Sequence, residues 1–100
     1  MAWTLFSVPA ERRTDLDAAL KDDLVSRQSH KVREGSSVGQ APATTIVLIE
    51  GASDAVKHAE ALLGPLGTRL SGADAEKLYR RLKEEEEAAS AGMGLFFTED

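Results

Sequence analysis

The chain contains no cysteine, three prolines and only five aromatic residues among its 100 positions. The missing cysteines exclude a disulfide-braced scaffold, a thiolate metal site and a cysteine nucleophile. No apolar run approaches the ~18 residues of a membrane helix. Met1-Ala2-Trp3 opens without the basic and apolar regions of a signal peptide. A soluble, cytoplasmic protein with no membrane partner is expected. Basic residues are missing from positions 84–100, which hold six acids, whereas residues 1–83 hold 12 basic and 11 acidic side chains. The formal net charge of −5 therefore belongs to the C-terminal end, and the body of the chain is close to neutral.

Hydrophobic residues make up 42% of the chain, but 15 of them are alanine, which leaves 27 larger side chains for a core. One domain is expected, since domains run ~50–250 residues. Ala2 to Val8 mixes aromatic and aliphatic residues and ends at Pro9, the composition of a strand. Proline suits a first helical turn, and Leu16, Leu20 and Leu24 recur every four residues, so one helix is expected from Pro9 or Ala10 to about Arg27 with those leucines buried. Ser29 to Glu34 is a short polar segment around Val32, followed by a flexible Gly35-Ser36-Ser37-Val38-Gly39 stretch. Thr44 to Glu50 carries four consecutive aliphatics, Ile46 to Ile49, which cannot all share one face of a strand and require cover on both.

Ser53 is a good N-cap for a second helix, with Ala55, Val56, Ala59, Leu62 and Leu63 as its apolar face and Gly64-Pro65 as its end. Leu66 to Leu70 reads as a short edge strand. Ser71 and Asp74 open a third helix that Gly92 is placed to close. These assignments divide the chain into a core over 1–71, an acidic helix over 72–91 and an apolar tail or short extra strand over 92–100. The order β-α-β-β-α-β resembles the ferredoxin-like fold, an α+β arrangement with an antiparallel sheet in the order 4-1-3-2. In that order strands one and three are central, and they are the two apolar ones here.

An open sheet face in that fold would leave large aliphatics of Ile46 to Ile49 in water, and each such side chain contributes ~1.5–3 kcal/mol when buried. The third helix, the tail or a second subunit can cover it, and a homo-oligomer is expected. Phe96 and Phe97, two of the five aromatics, point to a tail that docks, on its own domain or on a neighbour's.

Chemistry-bearing residues are sparse. His30 stands among Arg27, Lys31 and Arg33, and His58 lies four positions before Leu62. Neither has a partner at metal-ligand spacing such as His-x-x-x-His, so no metal site and no cofactor are expected. The glycines around Ser36 and Ser37 allow backbone amides to converge on an anion, and residues 27–40 carry a local charge of +2. Arg27, His30, Lys31, Arg33, Ser36 and Ser37 are therefore the candidate ligand-binding set, for a small anion. The plainer reading of the same stretch is a mobile connection between two strands. RNA-recognition domains share the strand–helix order but carry aromatics on their central strands; Thr44 to Glu50 has none and the chain is acidic, so nucleic-acid binding is disfavoured. Glu84 to Glu87 follow Arg80, Arg81 and Lys83 at four-residue spacings, the pattern of a solvated, self-pairing helix.

At fold level the chain resembles ACT-like modules, ferredoxin-like units that bind small ligands, often amino acids, at subunit interfaces. No binding residue transfers from that resemblance: the turn Ser7-Val8-Pro9-Ala10-Glu11-Arg12 lacks the glycine that such modules place after the first strand. The leading expectation is a small oligomeric ligand-binding or regulatory module without catalysis of its own. The alternatives are an enzyme using His30 or His58 in a sheet–helix cavity, with His30 the better general base, and an assembly or adaptor protein acting through the acidic helix and tail.

Overall fold

Ile46, Val47, Leu48 and Ile49 are all buried to 1% exposure or less, the two-sided cover that four adjacent aliphatics demand. A computed structural model describes the backbone of residues 2–99 and the side chains of residues 2–85. Four strands form one antiparallel sheet: β1 (Ala2–Pro9), β2 (Ser29–Glu34), β3 (Thr44–Gly51) and β4 (Thr68–Leu70). Their order is β2-β3-β1-β4, which is 4-1-3-2 read from the other edge. The apolar strands occupy the centre, where Leu5 pairs Leu48 and Phe6 pairs Val47. The polar β2 and the three-residue β4 form the edges, where short or charged strands resist pairing with another chain.

Strand alternation sends the core to both sides of the sheet. On one face, Phe6, Val8, Val47 and Ile49 pack against Leu16, Val25, Val56, Ala59 and Leu63. Those partners come from α1 (Arg13–Leu20), α2 (Asp23–Ser26) and α3 (Ser53–Leu63). On the other face, Leu5, Ile46 and Leu48 pack against Val38, Ala75, Leu78 and Leu82. Val38 ends a 3-10 turn, Gly35–Val38, and the last three lie on α4 (Gly72–Glu99) at spacings of three and four. The second apolar face is thus covered by α4 of the same chain.

Three local expectations are corrected. The single helix over 10–27 is broken into a 3-10 turn at Ala10–Arg12, α1 and α2. The break is caused by Asp22, whose carboxylate accepts the backbone N–H groups of Leu24 (3.1 Å) and Val25 (3.3 Å) and so starts a new helix. The restart changes the helical phase, so that Val25 is buried and Leu24 is 39% exposed. The stretch after Glu34 is a structured 3-10 turn: Gly35 is buried, and a Cβ there would lie 2.1 Å from the Thr44 hydroxyl and 2.4 Å from the Ala41 carbonyl. The third helix runs through Gly92 to Glu99. Flanking alanines, Met93 and Leu95 favour helix strongly enough to carry two glycines that each cost about 1 kcal/mol. The expected docking of Phe96 and Phe97 lies outside the described side chains.

α4 crosses the sheet from edge to edge. It begins just after β4, stacks Tyr79 on Trp3 of β1, joins Lys83 to Glu50 of β3 and brings Glu85 to Arg33 of β2. No helix among the described residues is long and apolar enough to cross a membrane.

Candidate functional site

The six residues selected from the sequence do not converge. Alternation along β2 sends His30 toward the face of α1–α3, while Lys31 and Arg33 share the α4 face, because their cross-strand partners are Ile49, Leu48 and Ile46 respectively. Arg27 is an exposed residue at the end of α2 and pairs with Asp23 at 3.3 Å. Arg33 donates to the Val32 carbonyl at 3.0 Å and stands 3.7 Å from Glu85. Ser37 donates its hydroxyl to the Glu34 carbonyl at 2.7 Å. Ser36 lines a separate depression with Arg13, Glu34 and Thr44. The backbone amides of Gly39 and Gln40 both turn back onto the Gly35 carbonyl, so these two donors close the turn.

What the turn does form is one wall of a cavity under α4. Its volume is about 260 Å³, and it is lined by Val38, Gln40, Leu70, Asp74, Lys77, Leu78 and Arg81. Val38 and Leu78, 3% and 4% exposed, give it an apolar floor that is continuous with the core. Lys77 and Arg81 are four apart on α4 and so project from the same helical face. Arg81 is anchored at two points: Nη2 donates to the Ser37 carbonyl at 3.2 Å, and Nε lies 3.7 Å from Glu85. A guanidinium has five N–H donors, so donors remain after these contacts. Gly39 sits beside it with φ of 77°, and a Cβ there would stand 3.5 Å from Arg81 Nη1. Glycine is favoured at this left-handed turn, and it leaves the Arg81 guanidinium room over the turn.

Three other concavities have fewer buried apolar residues in their lining; the one beside Trp3, Thr4, Arg69 and Leu70 has only Ala75. The groove of Asp15, Ala18, Ala19, Lys21, Asp22, Leu62 and Leu66 between α1 and α3 has no buried residue in its lining. The depression containing Ser36 has only Thr45 buried. Of these four, the cavity under α4 sets two buried apolar side chains beside two exposed cations, the usual chemistry of a small-molecule site.

A polar lock holds α4 beside this cavity. The Trp3 and Tyr79 rings stack with centroids 4.5 Å apart and an 11° tilt. Tyr79 donates its hydroxyl to Glu50 at 2.5 Å, and Lys83 Nζ reaches the other carboxylate oxygen at 3.2 Å. Burial pushes the Glu50 carboxyl up. The hydrogen bonds from Tyr79 and Lys83, with the charges of Lys83 and Lys31, outweigh it and hold the group below the ordinary carboxylate range. On the opposite face, His58 Nε2 lies 3.0 Å from the Asp22 carboxylate. That hydrogen bond is the largest influence on Asp22; with the N–H groups of Val25 and Leu24 and the His58 charge it outweighs burial and lowers the carboxyl's pKa. Glu60 forms a third cluster, accepting from Thr4 at 3.1 Å and pairing with Arg69 at 2.8 Å.

The sequence reading gave Asp74 a capping role and Arg81 a place on a solvated, self-pairing helix, and it did not single out Lys77. The four-residue spacing of the two cations was the available signal, but it could not show that the Gly35–Val38 turn closes over them. A scan against protein-family models finds no match, and searches of the curated proteins and of the solved structures find none that is significant.

Proposed function

We propose that this chain is a small-ligand-binding, regulatory module without catalysis of its own, on a ferredoxin-like, ACT-like architecture. The strand order and the placement of α1–α3 on one sheet face support that architecture. The observation that carries the functional reading is the cavity under α4, where Val38, Leu70 and Leu78 meet Lys77 and Arg81. Four of its seven lining residues belong to α4, so an occupant would bear directly on how that helix is seated. This coupling is what makes the module regulatory. His30 faces the other side of the sheet from this cavity, and His58 is paired with Asp22 on that same far side, so the geometry supports binding more than histidine chemistry.

A thermal-shift screen of small metabolite-like compounds tests the reading. A ligand present at ten times its Kd stabilises the folded state by about 1.4 kcal/mol, which raises the Tm of a domain this size by roughly 6–11 °C. Lys77→Trp, which fills the mouth of the cavity from an exposed helix position, should abolish that rise. A screen without stabilising compounds, or stabilisation that survives Lys77→Trp, refutes the proposal.

The proposal includes self-association through the distal half of α4. The helix reaches the edge strand β2 at Glu85, and residues 86–99 carry its backbone about 21 Å further at 1.5 Å per residue. Their sequence includes Met93, Leu95, Phe96 and Phe97. The full chain is expected to have an oligomer's mass by light scattering, and a chain ending at Glu85 a monomer's. A monomeric full chain refutes it.

A further inference from the structure

We infer that the cavity under α4 takes a small organic monoanion, one carboxylate or similar group on a compact apolar body. This inference rests on the ligand-binding reading above and adds the chemical class of the ligand. Three features of the lining set that class. Lys77 and Arg81 supply two cationic donors on one side, and Gln40 supplies an amide; charge-assisted hydrogen bonds of this kind are roughly twice as strong as neutral ones. Val38, Leu70 and Leu78 supply hydrocarbon surface in the same lining, which an inorganic anion could not use.

Asp74 narrows the choice further. It lines the same cavity three residues before Lys77, and Glu85 stands 3.7 Å from Arg81 Nε. The lining itself carries Lys77 and Arg81 against Asp74, a net +1, while Glu85 also stands 3.7 Å from Arg33, so one negative charge is matched and a second is not. Polyphosphates and dicarboxylates are disfavoured by this balance. Size agrees: about 260 Å³ is the space of roughly nine waters at ~30 Å³ each, which suits a body of about ten heavy atoms. Arg81 is the orienting group, because its contact with the Ser37 carbonyl fixes the guanidinium at the cavity wall. Lys77 is the second cation of the pair.

Benzoate and benzamide make a matched pair of probes, alike in shape and differing in charge. Titration of the full chain, followed by two-dimensional amide NMR, should show saturable benzoate shifts at Val38, Gln40, Leu70, Lys77, Leu78 and Arg81. Benzamide should bind about tenfold more weakly, as loss of one charge-assisted contact implies. Inorganic phosphate, which has no apolar body, and adenosine triphosphate, which carries excess charge, should both bind more weakly than benzoate. Lys77→Met and Arg81→Met should each weaken benzoate about tenfold and benzamide by clearly less. If benzamide binds as tightly as benzoate at these residues, or the Met variants keep full benzoate affinity, the anion class is overturned while the cavity stands as a binding site. If neither probe moves these resonances at tens of millimolar, the monoanion inference is overturned for these probes, and a screen that also stabilises nothing removes the ligand-binding reading with it.

Discussion

Replacing Leu82 by alanine is the most direct test of how α4 is held. Leu82 is 1% exposed and packs with Leu5, Val38, Ile46, Leu48 and Leu78 on the sheet face that α4 covers. The change removes three carbons, worth about 2.4 kcal/mol at ~0.8 kcal/mol per buried methylene. A residual cavity adds to that, and measured buried Leu→Ala losses span about 2.7–5 kcal/mol. α4 can settle partly into the gap because it rests on the sheet from one side, which places the expected loss near the lower end, about 3 kcal/mol. For a domain of this size such a loss lowers Tm by roughly 12–24 °C. Urea unfolding followed by Trp3 emission and by far-ultraviolet circular dichroism reads it directly. Trp3 is the only tryptophan, and it stacks on Tyr79 of α4, so its emission reports the seating of that helix. Leu24→Ala is the control: Leu24 is 39% exposed after the break at Asp22, and its loss should stay below about 1 kcal/mol. A Leu82→Ala loss under about 1 kcal/mol would refute the covering of this face by α4. Equal losses at the two positions would refute the helix break.

Glu50→Gln should lower stability by about 1–2 kcal/mol at neutral pH, since it weakens charge-assisted bonds from Tyr79 and Lys83. The folded-state pKa of Glu50 lies below its unfolded value, so its contribution is fully present above the ordinary carboxylate range and is lost as pH falls through the folded value. The Tm of Glu50→Gln should therefore fall less than that of the parent chain on acidification, and parallel pH profiles would contradict this. Gly35→Ala should destabilise by about 2 kcal/mol or more, because its Cβ meets the Thr44 hydroxyl and the Ala41 carbonyl at 2.1 and 2.4 Å. A Tm within 2–3 °C of the parent's would show that the turn yields easily.

Local chemistry made most of the elements legible. The residue types of Trp3 to Val8 and Ile46 to Ile49 mark central strands, since aromatic and β-branched side chains suit a pleated surface. The unbroken aliphatic run also showed that both faces of β3 had to be covered, because side chains alternate along a strand. The polar β2 and the short β4 were legible as edges for the converse reason. The break between α1 and α2 was half legible: Asp22 is an N-cap residue type, but the leucine periodicity ran straight through it and won the reading.

Only the tertiary structure decided what lies against what. Tyr79 and Lys83 meet Glu50 across 29 and 33 positions, and His58 meets Asp22 across 36. Periodicity carries no information about such pairs, because they depend on where the sheet places each strand end. The basic loop shows the same division. Arg27, His30, Lys31 and Arg33 are neighbours in sequence, yet alternation along β2 puts His30 on the opposite face from Lys31 and Arg33. The cations at the cavity, Lys77 and Arg81, come instead from the helix that lies over the sheet. The sequence by itself determined the elements and the need for a second cover. The packing of α4 across β1 and β3 decided that the chain supplies this cover itself, and it left the cavity at the margin where the helix meets the Gly35–Val38 turn.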